Sequence, residues 1–455
     1  MDKKSTIEQL VREAHEKGAF TGSWLYAEHG EIVSKGAVGW ADVNDTLPLQ
    51  EDFVFDLASV SKQFTAAAVM LLRRRGLLEL DDEITKFFPE IPYRGVTIRH
   101  LLHHTGGLPD YMDWVDKLCR EEHKIPGNAV IVRFLCESGA PAEFAPGEQW
   151  AYSNTGYCLL AQLVEKLSGV PFEDFLQKYV FEPAGMTSTR VCHRRRDGRA
   201  PEKLAWGLVL PLGTRQYRLP DNEAESFEAV SCDGMNGDGL VHSNILELYC
   251  WDRALRKELV LTREEQRLMY TPGKLNNGEV SGSPDDEDGD AYGFGWFVEN
   301  DPALGLIVCH SGGWPGYAIW YQRFIDADRV LIKLCCREPM DERASGAFCD
   351  GLRAVVRDKE PEPVRTIEEL AVPNPDRSGW EALCGKYDFG DAAFRIDEIV
   401  KKDGELYAKA LYKANAYELR LYPLGEHSFG IKDLEGELTF GEDGLTLWGE
   451  THKKI

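Results

Sequence analysis

The sequence of 455 residues contains no apolar run long enough to span a bilayer, and no apolar core of a secretory signal near its start. We therefore expect no membrane anchor and a cytoplasmic chain, unless a leader has been removed. Cations are also scarce, with 52 lysines and arginines against 76 aspartates and glutamates. The formal net charge of −24 repels nucleic acid and anionic membrane surfaces, so neither is expected as a partner.

Recognisable thiol and metal motifs are missing as well. The eleven cysteines are an odd number without a Cys-x-x-Cys pair, which predicts reduced thiols buried as small apolar residues. A nucleophilic cysteine stays open as an alternative, although no cysteine stands in an activating motif. The adjacent His103 and His104 suggest a metal site, but no third ligand stands at a useful spacing. We expect no cofactor and no bound metal.

The length and the composition predict two domains. A chain of this length exceeds the size at which a single core usually stops growing. Residues 361–377 contain four prolines among charged residues, which favours an extended linker. We therefore predict one domain over residues 1–360 and a second over residues 378–455.

Hydrophobic patterning predicts an α+β first domain followed by a small all-β domain. Alternation around His29-Gly30 indicates a hairpin over residues 23–34, and helical segments follow over residues 64–72 and 156–167. Strands at both ends of the domain predict an antiparallel sheet assembled from both ends, flanked by helices. The late strands of this domain are expected at residues 305–309, 318–324 and 330–335. Short alternating runs punctuated by glycine indicate the barrel or sandwich of the second domain, at residues 405–412, 417–422, 437–440 and 445–448.

A first chemical motif is Ser59-x-x-Lys62, where a long helix is expected to open. A serine hydroxyl is a poor nucleophile at neutral pH, and an amine one helical turn away can activate it or polarise the base that does. The N-terminus of the helix adds positive potential where negative charge develops. This pattern also arises by chance about twice in a chain of average composition, so by itself it does not establish a site.

Two further motifs are Tyr152-Ser153-Asn154, before a helix, and His310-Ser311-Gly312-Gly313, after an apolar strand. Ammonium groups favour the anionic form of a nearby phenol, which can then take a proton from Ser59 and pass it to a leaving group. Glycines let the backbone approach a substrate, and an N–H there can complete an oxyanion hole with that of Ser59. Taken alone, the Tyr152 motif is better explained by a core tyrosine and a helix-capping asparagine, and the His310 motif can be a glycine-rich turn.

The order of the three motifs resembles that of the serine β-lactamases and penicillin-binding proteins, specifically their class C branch, whose second motif carries tyrosine. The resemblance covers about residues 5 to 355 and implies a β-lactamase-like fold with an additional all-helical region. The tail resembles, more loosely, a small β-barrel domain of D-aminopeptidase-like members. Flanking segments that share the resemblance are residues 55–58, 98–109, 146–148, 237–240 and 292–296.

Together, the motifs and the resemblance predict a two-step acyl transfer from a small ester or amide to water. Ser59 is the nucleophile, and Tyr152, tuned by Lys62, acts as general base and then as general acid. Backbone N–H groups of Ser59 and Gly313 hold the oxyanion. The predicted substrate-binding residues are Asn154, His310, Ser311, Gly312 and Gly313.

One departure from the family pattern is His310, because most β-lactamases have lysine at this position. Histidine is largely neutral at pH 7, so the permanent charge that holds a substrate carboxylate is lost. If its pKa is near 6.5, carboxylate-bearing substrates should be turned over better as the pH falls. Efficient β-lactam turnover is therefore not expected. The predicted substrates are small esters and peptides with a D-residue, with β-lactams as side substrates. If His310 does not bind carboxylates, a neutral ester or an amine-bearing peptide is expected instead.

Two alternatives to an enzyme stay open at this stage. A non-turnover penicillin-binding or sensor protein of the same fold would acylate once without releasing the product. A scaffold would carry its function in the β domain. The sequence does not define the natural substrate, its stereochemistry or the oligomeric state.

Overall fold

The computed structural model describes residues 2–214, 216–221, 229–282, 291–412, 415–434 and 436–455. The chain divides into two compact units. The first unit comprises residues 22–208 and 219–336, and the second comprises residues 1–21, 209–218 and 337–455. Among the residues described, no helix combines the length and the apolar character that crossing a bilayer requires.

The first unit contains a seven-stranded antiparallel sheet in the order β2-β1-β10-β9-β8-β7-β6. Strand β1 pairs with β10 along its whole length, from Gly22 opposite Cys335 to Glu28 opposite Arg329. The sheet therefore joins both ends of the unit, as the sequence predicted. A second, three-stranded sheet has the order β3-β5-β4. The strands are β1 (Gly22–Glu28), β2 (Glu31–Val38), β3 (Phe55–Asp56), β4 (Arg190–Val191), β5 (Val241–Ser243), β6 (Ala291–Tyr292), β7 (Phe297–Asp301), β8 (Gly305–Trp314), β9 (Tyr317–Phe324) and β10 (Arg329–Cys335).

The central helix of the first unit is α2, in which every residue from Lys62 to Leu72 is buried. A helix that is apolar on nearly all sides belongs in a core. Here Phe64 packs against Phe181 and Trp251, with ring centroids 5.3 and 5.2 Å away. The helices of this unit are α2 (Lys62–Arg74), α3 (Ile98–Leu102), α4 (Met112–Glu122), α5 (Val130–Glu137), α6 (Asn154–Ser168), α7 (Phe172–Leu176), α8 (Glu182–Ala184), α9 (Arg194–Asp197), α10 (Ile245–Arg256) and α11 (Arg263–Met269).

The second unit combines helices with an eight-stranded antiparallel sheet whose strands follow chain order from β11 to β18. An isolated bridge pairs Tyr387, just after β11, with Lys454, just after β18, and so connects the two ends of the sheet. This curled meander matches the small β domain predicted from alternation and glycines. Its elements are α1 (Lys3–Glu16), α12 (Glu342–Val356), α13 (Ile367–Leu370), α14 (Trp380–Leu383), β11 (Gly385–Lys386), β12 (Phe394–Lys402), β13 (Glu405–Tyr412), β14 (Asn415–Pro423), β15 (Ser428–Ile431), β16 (Glu437–Gly441), β17 (Gly444–Leu447) and β18 (Glu450–His452).

The proline-rich segment 361–377 is not extended throughout. It contains helix α13, whose N-cap Thr366 accepts a hydrogen bond from the backbone N–H of Glu369. Val364 and Ile367 are buried, which anchors the segment within the second unit. The prolines determine where regular structure stops, whereas the buried side chains and the cap allow one helical turn between them.

Candidate active site

Ser59 lies in a 3-10 turn, Ala58–Ser61, between β3 and α2. The sequence placed Ser59 at the opening of the long helix, whereas the α-helix begins at Lys62. Ala58, which directly precedes Ser59, has a left-handed φ of 45°. Such a conformation costs a residue other than glycine about 1–3 kcal/mol and needs support. The Asp56 carboxylate supplies it by accepting the backbone N–H of Ala58 at 2.9 Å.

Lys62 connects three parts of the site and is fully buried. Its Nζ donates to Ser59 Oγ at 3.1 Å, to Asn154 Oδ1 at 2.9 Å and to the carbonyl of Asp238 at 2.8 Å. Three acceptors match the three N–H donors of an ammonium group. A buried lysine is stable only when its charge is compensated in this way.

Ser61 has a different environment from Ser59. Its side chain is fully buried, and Oγ accepts the backbone N–H of Val241 at 3.1 Å. Ser59 is half-buried and lines a cleft. Of the two serines, Ser59 alone combines contact with Lys62 and access to the cleft.

The second motif leads into helix α6, whose first residue is Asn154. Ser153 is the N-cap and accepts the N–H of Gly156 at 3.2 Å, so Asn154 is not the cap and its side chain is available to Lys62. Since Asn154 Oδ1 accepts from Lys62, its NH₂ group can donate elsewhere. Tyr152 is 37% exposed, and Lys62 Nζ lies 4.8 Å from the centroid of its ring. The structure thus brings the first two motifs together.

The third motif lies within strand β8, which continues to Trp314, rather than in a turn after it. A Cβ added at Gly312 would meet the carbonyl oxygen of Leu57 at 2.2 Å, whereas one added at Gly313 would meet nothing within 4 Å. Gly312 therefore allows the close approach of β8 to the segment that carries the nucleophile. Gly313 lines the same cleft as Ser59, and Ser311 is exposed.

His310 is buried and uses both ring nitrogens within the protein. Its Nδ1 donates to the carbonyl of Ser311 at 2.6 Å, so the neutral ring accepts at Nε2 from Tyr292 Oη at 3.0 Å. Burial, with a smaller contribution from the charge of Lys62, lowers the pKa of His310 to about 3. The pKa of His310 thus departs from the unperturbed value of about 6.5, and the imidazole stays neutral at physiological pH.

His103 and His104 belong to an aromatic layer beside the site. His103 Nδ1 donates to the carbonyl of Tyr292 at 3.0 Å, and His104 Nδ1 accepts the N–H of Ser153 at 3.0 Å. The His104 ring lies 4.4 Å from that of Tyr152, and burial holds the pKa of His104 well below its usual range. Both histidines thus have structural partners, and His104 packs directly against a motif residue.

The cleft also contains residues that the motifs did not indicate. Asp238, Tyr111 and Cys232 line it together with Ser59, Asn154 and Gly313. Asp238 belongs to a segment noted for its resemblance, but nothing in the sequence marked its carboxylate as part of a site. Burial raises the pKa of the Cys232 thiol far above its usual value, so a reactive thiolate is disfavoured there. The remaining lining residues are Asp56, Ala58, Met112, Met235, Gly239, Leu240 and Trp314.

The fold and this arrangement are those of a β-lactamase-like protein, and comparison with known proteins agrees. The Beta-lactamase family model matches residues 6–348. Penicillin-binding protein 4* of Bacillus subtilis (strain 168) is 36% identical over 447 residues, covering 97% of this chain and 95% of that protein. The chain therefore belongs to the beta-lactamase family.

Other relatives broaden this picture. Esterase EstB of Burkholderia gladioli is 28% identical over 364 residues, covering 67% of this chain and 88% of the esterase. The structure of an octameric penicillin-binding protein homologue from Pyrococcus abyssi aligns with a TM-score of 0.65 at 23% identity, covering 98% of both chains. The last similarity supports the fold along nearly the whole chain.

Proposed function

We propose that this protein is a serine hydrolase that forms an acyl-enzyme at Ser59 from a small ester or amide and releases the acyl group to water. The observation that carries this proposal is the hydrogen bond from Lys62 Nζ to Ser59 Oγ at 3.1 Å, beside a cleft that Ser59 itself lines. The family relation to an esterase and to penicillin-binding proteins supports the same class of reaction.

Lys62 acts as a fixed positive charge in this mechanism, because its three donors are already directed to three acceptors. The hydroxyl of Ser59 accepts from Lys62, so its own proton is directed elsewhere. Tyr152, whose ring lies 4.8 Å from Lys62 Nζ, takes that proton as the general base.

The reaction then proceeds in two balanced steps. Ser59 Oγ bonds to the carbonyl carbon, its proton passes to Tyr152, and the tetrahedral intermediate collapses as that proton goes to the leaving alcohol or amine. Water repeats the sequence on the ester of Ser59 and restores the hydroxyl. Backbone N–H groups of Ser59 and Gly313 stabilise the oxyanion, and the NH₂ group of Asn154 orients the substrate.

His310 is assigned a positioning role, because its two ring nitrogens are engaged by Ser311 and Tyr292. Gly312 allows β8 to approach the carbonyl of Leu57, two residues before Ser59. Within this motif, we propose a direct contact with the substrate only for Gly313, which lines the cleft.

The decisive experiment compares Ser59→Ala with Ser61→Ala in labelling by a neutral fluorophosphonate probe and in turnover of a nitrophenyl ester. Ser59→Ala should abolish both labelling and turnover. Ser61→Ala should still be labelled at Ser59, since Ser61 only accepts a backbone N–H. Circular dichroism and thermal melting check that each variant folds. Labelling that persists in Ser59→Ala and disappears in Ser61→Ala contradicts the assignment.

A second candidate is a penicillin-binding protein that acylates without efficient turnover. It is favoured by the 36% identity to a penicillin-binding protein over nearly the entire chain. A single stoichiometric burst of nitrophenol, with no steady release, supports this candidate over the hydrolase. Continued release at a rate proportional to enzyme concentration supports the hydrolase.

A further inference from the structure

Asp238 is the residue from which the substrate preference of the cleft can be inferred. It lies between the 3-10 turn Cys232–Gly234 and β5, is partly buried and lines the cleft that contains Ser59. Its neighbour Gly237 has a φ of 97°, and the Gly237 carbonyl accepts from Thr65 Oγ1 of α2 at 2.6 Å. The backbone of this segment is therefore fixed to the helix that follows the nucleophile.

The carboxylate of Asp238 is held by a neutral donor. Tyr111 Oη donates to Asp238 Oδ2 at 2.9 Å, and burial raises the pKa of Tyr111 well above its usual value, so the phenol stays uncharged. Lys62 contacts the backbone carbonyl of Asp238 and directs its other two donors to Ser59 and Asn154. The hydrogen bond from Tyr111 orients the carboxylate without neutralising its charge.

The rest of the cleft wall offers no competing positive charge. Among the lining residues that the structure describes, none is lysine, arginine or histidine. The second carboxylate there, Asp56, is directed to the backbone N–H of Ala58. The wall is otherwise largely apolar, with the side chains of Met112, Met235, Leu240 and Trp314. His310 is buried and neutral, so it provides no cation for a substrate carboxylate.

We propose that Asp238 binds an ammonium group on the acyl part of the substrate, so that the cleft selects amine-bearing esters or amides with an apolar side chain over acids. The proposal rests on the serine hydrolase function above and names its substrate class. A primary ammonium group can donate a charge-assisted hydrogen bond to the oriented carboxylate. A substrate carboxylate at the same place meets a like charge and no partner, which disfavours its binding.

The unmodified protein provides the first test. It is assayed with the methyl esters of D- and L-phenylalanine, of 3-phenylpropanoate, which lacks the amine, and of N-succinyl-phenylalanine, which carries a carboxylate instead. At a pH where the amine is protonated, kcat/KM for the better phenylalanine enantiomer should exceed that for 3-phenylpropanoate about ten- to a hundredfold. Added salt should reduce this preference because it screens a partly exposed charge. An equal or inverted preference overturns the proposal.

The matched variants are Asp238→Asn and Asp113→Asn. Each removes one negative charge, but Asp113 is exposed on α4 and does not line the cleft. Asp238→Asn should bring the ratio of kcat/KM for the amine and des-amino esters close to one, and Asp113→Asn should leave it within about twofold. Tyr111→Phe, which keeps the charge and loses its donor, should give a smaller decrease. If Asp238→Asn lowers kcat/KM for both esters equally, the carboxylate supports the structure of the site and does not bind an ammonium group, and the proposal is wrong.

Failure of this proposal is distinguishable from failure of the proposed function. Labelling of Ser59 by a neutral fluorophosphonate does not depend on an ammonium group in the ligand. A protein that labels at Ser59 but shows no preference for amines retains the hydrolase assignment and loses the role of Asp238. A protein that neither labels nor cleaves any ester loses both. If Asp238→Asn does not fold, the charge preference of the unmodified protein decides.

Discussion

The two units of the chain differ in what they bury. In the first unit the buried residues include the charged Lys62, the imidazoles of His104 and His310, and Asp252 with Arg323, among many other polar groups. In the second unit the buried polar residues among those described are Arg337 and Asp341, and the core of the β-sheet is formed by apolar side chains from Trp380 to Leu447. The sheet of the second unit therefore resembles an ordinary apolar core.

This difference indicates that the unfavourable burial of polar groups is concentrated in the unit that contains the candidate active site. Burying a polar group is unfavourable unless it finds a hydrogen-bond partner, and burying a charge is more so. In the first unit, Lys62 is hydrogen-bonded to Ser59 and Asn154, and His310 is hydrogen-bonded to Tyr292 and Ser311. Such a network rigidifies a site but leaves it sensitive to the loss of any member. Substitutions in the two units should therefore have different consequences.

The largest expected effect comes from Tyr152→Phe, compared with Tyr157→Phe. Both tyrosines lie near the ammonium group, with Lys62 Nζ 4.8 and 5.7 Å from the ring centroids. Tyr152→Phe should reduce kcat about 10²- to 10⁴-fold, because the general base is lost. Tyr157 is buried and donates to the carbonyl of Leu102, so Tyr157→Phe should cost about 1–3 kcal/mol of stability and retain turnover. Steady-state kinetics and denaturant titration separate the two outcomes, and equal losses of kcat refute the role of Tyr152.

A smaller effect is expected from Gly312→Ala. The control is Gly313→Ala, at the next position on the same strand. A Cβ at Gly312 would lie 2.2 Å from the carbonyl oxygen of Leu57, whereas one at Gly313 has open space. Overpacking of this kind costs about 1–3 kcal/mol of stability. If the clash displaces Ser59 and the same energy is lost from the transition state, kcat/KM falls about five- to a hundredfold. Gly313→Ala should fold as the unmodified protein does. A Gly312→Ala protein with unchanged acylation rate would show that β8 does not position the nucleophile.

The sequence predicted the sheets better than it predicted the site. Apolar runs and alternation located β8, β9 and β10 and several strands of the second unit, because burial sets the period of the pattern. The start of α6 was found within two residues. The strands β3 to β7, β11, β12, β15 and β18 were missed, since short or irregular alternation carries a weak signal.

Within the site, the motif residues converge as expected, but their roles depend on contacts between distant segments. Nothing local in the sequence shows that the ring of His310 is bound by Tyr292. The pKa of His310 depends on burial, which a single sequence does not determine at one position. Asp238 was overlooked for the same reason, because its importance comes from the cleft that it lines.

A third prediction uses the depressed pKa of His310. An unfolded histidine binds a proton below about pH 6.5, whereas folded His310 binds one only near pH 3, so stability falls as the pH drops through this interval. Between pH 6.5 and 5 the loss from this residue is about 2 kcal/mol. His310→Gln should remove that share of the pH dependence in denaturant titrations. In the unmodified protein, the kcat/KM ratio for a carboxylate-bearing and a neutral ester should be flat from pH 5 to 8. A ratio that rises toward pH 5 and is flat in His310→Gln contradicts a neutral imidazole.

The smallest effect on the chemistry is expected from Leu406→Ala in the second unit, compared with Leu102→Ala in the first. Both leucines are fully buried, so each truncation should cost about 2–5 kcal/mol in its own unit. The Leu102 side chain packs in the core of the first unit, and its backbone carbonyl accepts from Tyr157 in the layer beside Tyr152. A shift of this residue in Leu102→Ala should therefore slow acylation of Ser59. Leu406 packs in the core of the second unit, where none of the catalytic motifs lies, so the rate of fluorophosphonate labelling at 25 °C should stay within about twofold of the unmodified protein. Labelling rates, measured where circular dichroism shows both variants folded, decide the matter. If Leu406→Ala slows labelling as much as Leu102→Ala does, the second unit takes part in forming the site, and the separation between an apolar β domain and a polar catalytic unit does not hold.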